Sequence, residues 1–410
     1  MSCESRLLPD YGPVFRKESR APFVYKGNIE VKRACARVTF VHFRMEFMSE
    51  HFSRDNSDPV EAIIPNLGRR FSGVTSTMLQ ALSLQKSEIP LVVWGKAHVD
   101  ESQYPVVTFK QLLSLTKVPL SEGRFRVYHA RRNIEMLWGL ALKYVFGRRI
   151  KLLFTSTAQR HHGGYTRFLI RKMDGVITTS ERAGSFLEKP ADFVVPHGIG
   201  IDRYPFVEDK DKAWKDLGIP GKRGIGIFGR VRPQKGIDLF VDSMLEALPR
   251  YPDYTAVIVG KTTPKFEPFV KAQKTKIEAK GLTNRFVWLG EVNFEELPGL
   301  YGAMSIVASV SRVEGFGLTC LEAMSSGTPV IASRTGGFEL VVRDGVDGKI
   351  VDCDSAEQIE EAFEEMASDE NALGRMRVSC RQRIENAFTI DREARELTSI
   401  YRMYSNGKRA

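Results

Sequence analysis

Ser311–Ser333, SRVEGFGLTCLEAMSSGTPVIAS, is the stretch whose reading decides the fold. An apolar run ends near Ser309, and a loop carrying Glu314, Gly315, Phe316 and Gly317 follows. The pattern then predicts a helix opening at Leu318, closed by Gly327, with Pro329 leading into the next apolar run. Strand, glycine loop, helix and strand in this order make a parallel α/β unit. The glycines let the backbone approach a ligand closely. The free N–H groups at the helix start, aided by the helix dipole, favour an anion. Glu322 falls roughly 7 Å further along the helix axis at ~1.5 Å per residue. One carboxylate thus stands near the anion, and the other can reach a polyhydroxy group. The plainer alternative, Glu314 complementing the helix dipole and Glu322 on a solvated face, stays open at this point.

A second unit precedes it, Gly224–Ile237, GIGIFGRVRPQKGI. A strand ends at Gly229-Arg230, and Lys235-Gly236 opens a helix. Ile237, Phe240, Val241, Met244 and Leu248 give that helix one apolar face, and Pro249 ends it. Arg230 and Lys235 project from the strand's carboxyl end, two cations suited to a diphosphate, or else ordinary loop cations. G-x-x-x-x-G-K-[ST] is absent here, so this is not a P-loop.

The same α/β rhythm extends outward. Strand candidates are 60–65, 91–94, 126–129, 152–155, 176–179 and 193–195. After a break at Pro205–Pro220 come 224–228, 255–259, 286–289, 306–308 and 330–332. Two successive α/β units imply two Rossmann-like domains facing across a cleft, with ligands at the carboxyl ends of the strands. The boundaries read as 1–58, an N-terminal extension, partly disordered and dispensable for chemistry; 59–204, the first domain; 205–388, the second; and 389–410, a terminal helix packing back across the lobes. Within the extension, Ala36–Phe47 reads as a strand or a short helix. Ala394, Leu397, Tyr401 and Tyr404 share a face of the terminal helix.

Composition narrows the classes. The chain has 410 residues, 42% hydrophobic and 27% charged, the profile of a soluble globular protein. A net charge of +10 favours anionic partners: nucleotides, phosphorylated glycans, nucleic acid or an acidic membrane surface. Nucleic acid is the poorest fit, because no RNA- or DNA-binding motif occurs and aromatics do not interleave with a basic run. The five cysteines, Cys3, Cys35, Cys320, Cys353 and Cys380, are widely spaced with no C-x-x-C, which argues against zinc fingers and disulfide frameworks and for a reducing cytosol. No apolar run is long enough for a membrane span, and Met1–Asp10 lacks a signal-peptide core.

Together these segments resemble the retaining glycosyltransferases of family 4, which have the GT-B fold. Glu314 and Glu322 fit that family's E-x7-E motif, and Gly229, Arg230, Lys235 and Gly236 its G-R-x-x-x-x-K-G. Val195–Tyr204, VPHGIGIDRY, is similar to its interdomain P-N-G-V-D-x-x-x-F, with His197 where Asn is usual. Gly336-Gly337 and Glu339 fit its G-G-x-x-E turn. The resemblance implies that Arg230 and Lys235 hold the diphosphate of a sugar-nucleotide donor and Glu322 its ribose. It implies that Glu314, the donor-binding Gly315 and the amides of Phe316, Gly317 and Leu318 face the sugar and phosphate, and that Leu289–Phe294 borders the base. In the first domain Ser72-Gly73-Val74-Thr75 matches the glycine-rich loop whose amides cap the diphosphate.

IPNLGRRFSGVTST and TSTAQRHH further resemble rhizobial-type lipopolysaccharide-core mannosyltransferases, which use GDP-mannose. The implied partners are a sugar nucleotide and a lipid-linked glycan acceptor at an anionic membrane surface. The enzyme would be cytoplasmic, bound peripherally at the inner face of the cytoplasmic membrane, with no cofactor and no metal. One departure stands out: where the family often has a His after the strand at 152–155, this chain has Thr155-Ser156-Thr157. His162, with His161 beside it, is a candidate substitute near the reacting sugar, and His129, at another strand end, is a second. A UDP-sugar transferase for another glycan and a bilobal sugar-nucleotide epimerase are the rival enzymes. The epimerase would lack E-G-F-G and release free sugar.

Overall fold

The computed structural model describes residues 59–68 and 73–407. The expectations for residues 1–58, and for Ser72, fall outside the described residues.

Residues 58–410 cluster as one compact unit that holds two parallel sheets. The first has strands β1 (Ala62–Pro65), β2 (Leu91–Trp94), β3 (Val106–Val107), β4 (Arg126–Ala130), β5 (Ile150–Ser156), β6 (Gly175–Thr178) and β7 (Phe193–Val194), in the spatial order β3-β2-β1-β4-β5-β6-β7. The second has β8 (Arg223–Phe228), β9 (Tyr254–Val259), β10 (Phe286–Gly290), β11 (Ile306–Ser309), β12 (Val330–Ser333) and β13 (Gly348–Val351), in the order β10-β9-β8-β11-β12-β13. Most of these strands read as continuous apolar runs because helices cover both faces of a parallel sheet. Ile63, Val93, Val127, Leu152 and Ile177 are buried in the first sheet, and Ile225, Val257, Val307 and Ile331 in the second. β3 and β13 have no counterpart in the sequence reading. The first is a two-residue edge strand, and the second, GKIV, carries a lysine and follows a turn.

In each sheet the strand order reverses once, between β1 and β4 and between β8 and β11. Chain connections depart in opposite directions there and open a crevice at the carboxyl ends. The helix Ile237–Ala247 does not begin at Lys235. A short 3-10 turn, Pro233–Lys235, intervenes, and Gly236 takes a left-handed φ of 71°. A Cβ at Gly236 would lie 2.1 Å from the Val310 carbonyl oxygen, so this turn can pass beside the end of β11 only as glycine.

Two crossings join the lobes. Ile199 and Tyr204 of the outgoing segment pack in the core of the second lobe. The terminal helix Ile390–Ser405 returns Leu397, Ile400, Tyr401 and Tyr404 to the core of the first. Ile199 and Thr389 form a parallel bridge between the crossings.

Candidate active site

The two crevices meet. A methyl group on Gly73, at the start of the first-lobe helix Gly73–Gln85, would lie 3.5 Å from Leu318 of the second lobe. Gln159, in the loop after β5, donates through Nε2 to the Gly315 carbonyl at 3.1 Å. Thr157 lies alongside, 3.6 Å from where a Gly315 Cβ would stand. Arg182 of the first lobe pairs with Glu339 of the second at 2.8 Å.

Gly317 caps the helix Leu318–Ser325 at φ 100°, and a Cβ there would overlap the Phe338 ring at 2.0 Å. Glycine therefore sets the path by which the loop enters the helix. Among the described residues the N–H groups of Phe316, Gly317 and Leu318 meet no acceptor, which leaves a helix start able to bind an anion. Glu314 is half-buried beside it. Its carboxylate pairs with Lys235 and also accepts from the Ser311 hydroxyl at 3.3 Å and the Gly315 N–H at 3.1 Å. Lys235 is therefore a compensated cation, whereas Arg230 is exposed and makes no ion pair among the described residues. Among the described residues no three His, Cys, Asp or Glu side chains group where they could hold a metal ion.

Glu322 is not on a solvated face, as the plainer alternative had it. It is half-buried, with one oxygen accepting from the Tyr301 hydroxyl at 2.7 Å and the other from Tyr204 at 3.2 Å. Tyr301 is stacked on Phe228, ring centroids 4.0 Å apart. Burial pushes the Glu322 pKa above the ordinary carboxylate value, and the two tyrosine hydroxyls, then Arg203 and Lys235, oppose that rise. Each carboxylate oxygen keeps a lone pair for a further hydroxyl donor. The sequence reading missed both tyrosines. Tyr204 stands inside the quoted VPHGIGIDRY, but no spacing rule connects it to a carboxylate 118 positions on. On the same side Arg203 stacks on Phe294, 3.5 Å from the ring centroid, and donates to its carbonyl at 2.8 Å, which ties the linker to the segment 289–294.

The two histidine candidates separate. His162 Nε2 lies 3.0 Å from Ser156 Oγ, half-buried on the loop that meets Gly315. Burial, then Arg160 and His161, lower its pKa below the ordinary imidazole value, so the ring is neutral at pH 7. His161 is exposed and turns to the Phe186 ring. His129 is a correction: it is 0% exposed, with Nδ1 at 2.6 Å from the Tyr401 hydroxyl and Nε2 at 2.7 Å from Thr155 Oγ1. Both ring nitrogens are occupied and the ring does not line the cleft, so its work is to hold the terminal helix against β5. His129→Ala is expected to lower the melting temperature strongly, since it empties a fully buried site and takes the imidazole from the buried Tyr401 hydroxyl and the half-buried Thr155 hydroxyl, a lost buried hydrogen bond costing about 1–3 kcal/mol. His162→Ala is expected to leave melting nearly unchanged while reducing turnover. Thermal denaturation and initial rates on both variants check this.

Two Rossmann-like lobes with their ligand edges face to face, one presenting an anion-binding helix start, are the architecture of a GT-B glycosyltransferase. Residues 209–387 match the family described as "Glycosyl transferases group 1". The lipopolysaccharide core biosynthesis mannosyltransferase LpcC of Rhizobium leguminosarum bv. viciae is 39% identical over 351 residues, covering 83% of this chain and 96% of LpcC. The lipopolysaccharide core biosynthesis mannosyltransferase LpsB of Rhizobium meliloti is 39% identical over 346 residues, covering 83% of this chain and 97% of LpsB. The crystal structure of Anabaena HepE in complex with UDP superposes with a TM-score of 0.73 at 19% identity, over 83% of this chain and 99% of that one. At that identity it speaks for the fold alone. The chain belongs to the group 1 glycosyltransferases.

Proposed function

We propose that the protein transfers mannose from GDP-mannose, with retention and without a metal, to a lipopolysaccharide-core glycan at an anionic membrane surface. The observation that carries transfer from a sugar nucleotide is the anion-binding helix start at Gly317, beside the Lys235–Glu314 pair and followed by Glu322. The choice of mannose and of a core acceptor rests on the two mannosyltransferase relatives, which match this chain over nearly their whole length. As the sugar–phosphate bond breaks, charge grows on the leaving diphosphate. Fixed amides and cations aimed at that charge lower the barrier. Glu314 holds the Lys235 ammonium in place until the diphosphate arrives. Front-face departure and attack on one side of the sugar needs no protein nucleophile. Neutral His162 stands on the loop facing this point as a hydrogen-bond partner for the sugar or the incoming hydroxyl.

The donor is tested by a thermal-shift panel of GDP-, UDP- and ADP-sugars, since a ligand bound only by the folded state raises melting by mass action. GDP-mannose is expected to give the largest shift, and the transfer rate is expected to survive excess EDTA. A larger shift with a UDP-sugar would overturn the donor assignment. Full loss of rate in EDTA, restored by Mn²⁺ or Mg²⁺, would overturn metal independence.

No helix among the described residues is long and apolar enough to cross a membrane. The first lobe instead exposes apolar side chains on two adjoining elements: Ile134, Leu137, Tyr144 (65% exposed) and Val145 (78%) on one, Tyr165 and Phe168 on the other. Lys172 lies over the Phe168 ring, and Lys143 over that of Tyr144. One helix, Asn133–Leu140, follows β4, and the other, Gly164–Ile170, follows the loop after β5 that meets Gly315, so an apolar face with Lys172 at its edge borders the acceptor side. Anionic vesicles are expected to sediment the protein at 0.1 M salt, where the Debye length is ~10 Å, and less at 1 M, where it is ~3 Å. Failure to bind at low salt would overturn the peripheral placement.

A further inference from the structure

Near the two crossings, the linker, the terminal helix and the donor loop come together around one side chain. Gly198 passes so close to the returning segment that a Cβ on it would sit 2.2 Å from the Thr389 carbonyl oxygen. Ile199 N–H donates to the Phe388 carbonyl at 2.9 Å, and Ile390 N–H to the Ile199 carbonyl at 3.0 Å. Glu393, in the first turn of the terminal helix, reaches back across this junction. One of its oxygens takes the Gly198 N–H at 2.8 Å and the other meets His197 Nδ1 at 2.9 Å. The carboxylate is 5% exposed and sits where the helix dipole favours a negative charge. With Nδ1 engaged by the carboxylate, the imidazole is fixed in orientation. Its ring then stands edge-on to Phe316 at 5.3 Å between centroids. Phe316 is 3% exposed, backed by Phe388 and by Gly337, and its backbone belongs to the Glu314–Gly317 loop.

We infer that His197, oriented by Glu393, is a positioning residue for the donor loop. The terminal helix holds the imidazole, the imidazole holds the Phe316 ring, and the Phe316 ring sets where the loop amides and Glu314 point. The carboxylate, the ring and the loop come from three separate segments of the chain. A displacement of either crossing is therefore delivered to the anion-binding amides rather than absorbed in the linker. The residue that departs from the family pattern in the interdomain segment is in this way built into the donor site without touching the donor. The inference rests on the reading that the Glu314–Gly317 loop binds the donor diphosphate. Because hydrogen-bond geometry at such amides is steep, a shift of about 1 Å is enough for a large loss.

The test is calorimetric titration of GDP and UDP into the full-length wild type and three variants, with melting temperature recorded for each. His197→Ala removes the ring. Glu393→Gln keeps the side-chain size and one acceptor but turns the other oxygen into an amide nitrogen, and it serves if His197→Ala fails to fold. Tyr401→Phe is the control: it removes a buried hydroxyl of the same terminal helix that bonds His129 and is in contact with neither His197 nor Phe316. His197→Ala and Glu393→Gln are expected to weaken binding of the preferred nucleotide about tenfold. Tyr401→Phe is expected to lower melting at least as much as Glu393→Gln with affinity unchanged. Wild-type affinity in both folded variants would overturn the inference, and so would an affinity loss in Tyr401→Phe that matches its loss of stability. If the wild type binds neither nucleotide, the donor-site reading itself fails, an outcome distinct from both.

Discussion

Lys235→Ala is expected to lower kcat/KM for sugar transfer by about 10–100-fold, which corresponds to one charge-assisted contact of ~1.5–3 kcal/mol. Two effects combine. The ammonium is lost from the place where the leaving diphosphate gains charge. In addition Glu314, half-buried and until then paired with Lys235, keeps among the described residues only Ser311 and the Gly315 N–H and becomes an unbalanced negative charge facing an anionic donor. Arg230, which makes no ion pair among the described residues, remains after β8, so activity is reduced rather than abolished. Steady-state kinetics together with GDP affinity check the point. A variant with wild-type kinetics and wild-type affinity would show that the diphosphate binds elsewhere.

Glu322→Ala is expected to cost both stability and donor binding. Tyr204 and Tyr301 are buried, and their hydroxyls would lose the carboxylate that accepts from them, at about 1–3 kcal/mol each. Glu322→Gln separates the two losses. Its amide oxygen still accepts from one tyrosine, so melting falls less, while the charged contact to a ribose hydroxyl is gone and donor affinity is expected to drop about tenfold. The same variant carries a pH signature. The folded state raises the Glu322 pKa, so it binds the proton more tightly than the unfolded chain does. Above the ordinary Glu value, stability therefore declines as pH rises through the folded-state pKa, and it levels off beyond it. In Glu322→Gln that decline is expected to be absent. Denaturation midpoints across pH 4–7 for both proteins are the measurement, and parallel curves would contradict the assigned environment.

The second lobe was legible in sequence because each of its decisive features is local. The start of the helix at Leu318, the glycine loop before it and the apolar face of Ile237–Ala247 follow from spacing within one turn or one loop. Glu314 and Glu322 were found for the same reason. What was not legible depends on segments that meet only after folding. Tyr204 and Tyr301 converge on Glu322 from two other segments, and Glu393 reaches His197 across 196 positions. His129 shows the opposite failure. A histidine at a strand end reads as a cleft residue, yet the terminal helix covers it and supplies Tyr401 as its partner. The edge strand Val106–Val107 was too short to leave a pattern, and Arg230 and Lys235, alike in sequence as two loop cations, differ in the fold because only Lys235 finds Glu314.

The central claim, that this cleft moves a mannosyl group from a nucleotide to a core glycan, is tested most directly by incubating the full chain with labelled GDP-mannose and purified core glycolipid and following the label. Label is expected in the glycolipid, dependent on both Lys235 and Glu322, with little free mannose. Label released as free sugar, label remaining in GDP-mannose, or transfer from UDP-glucose but not from GDP-mannose would contradict it.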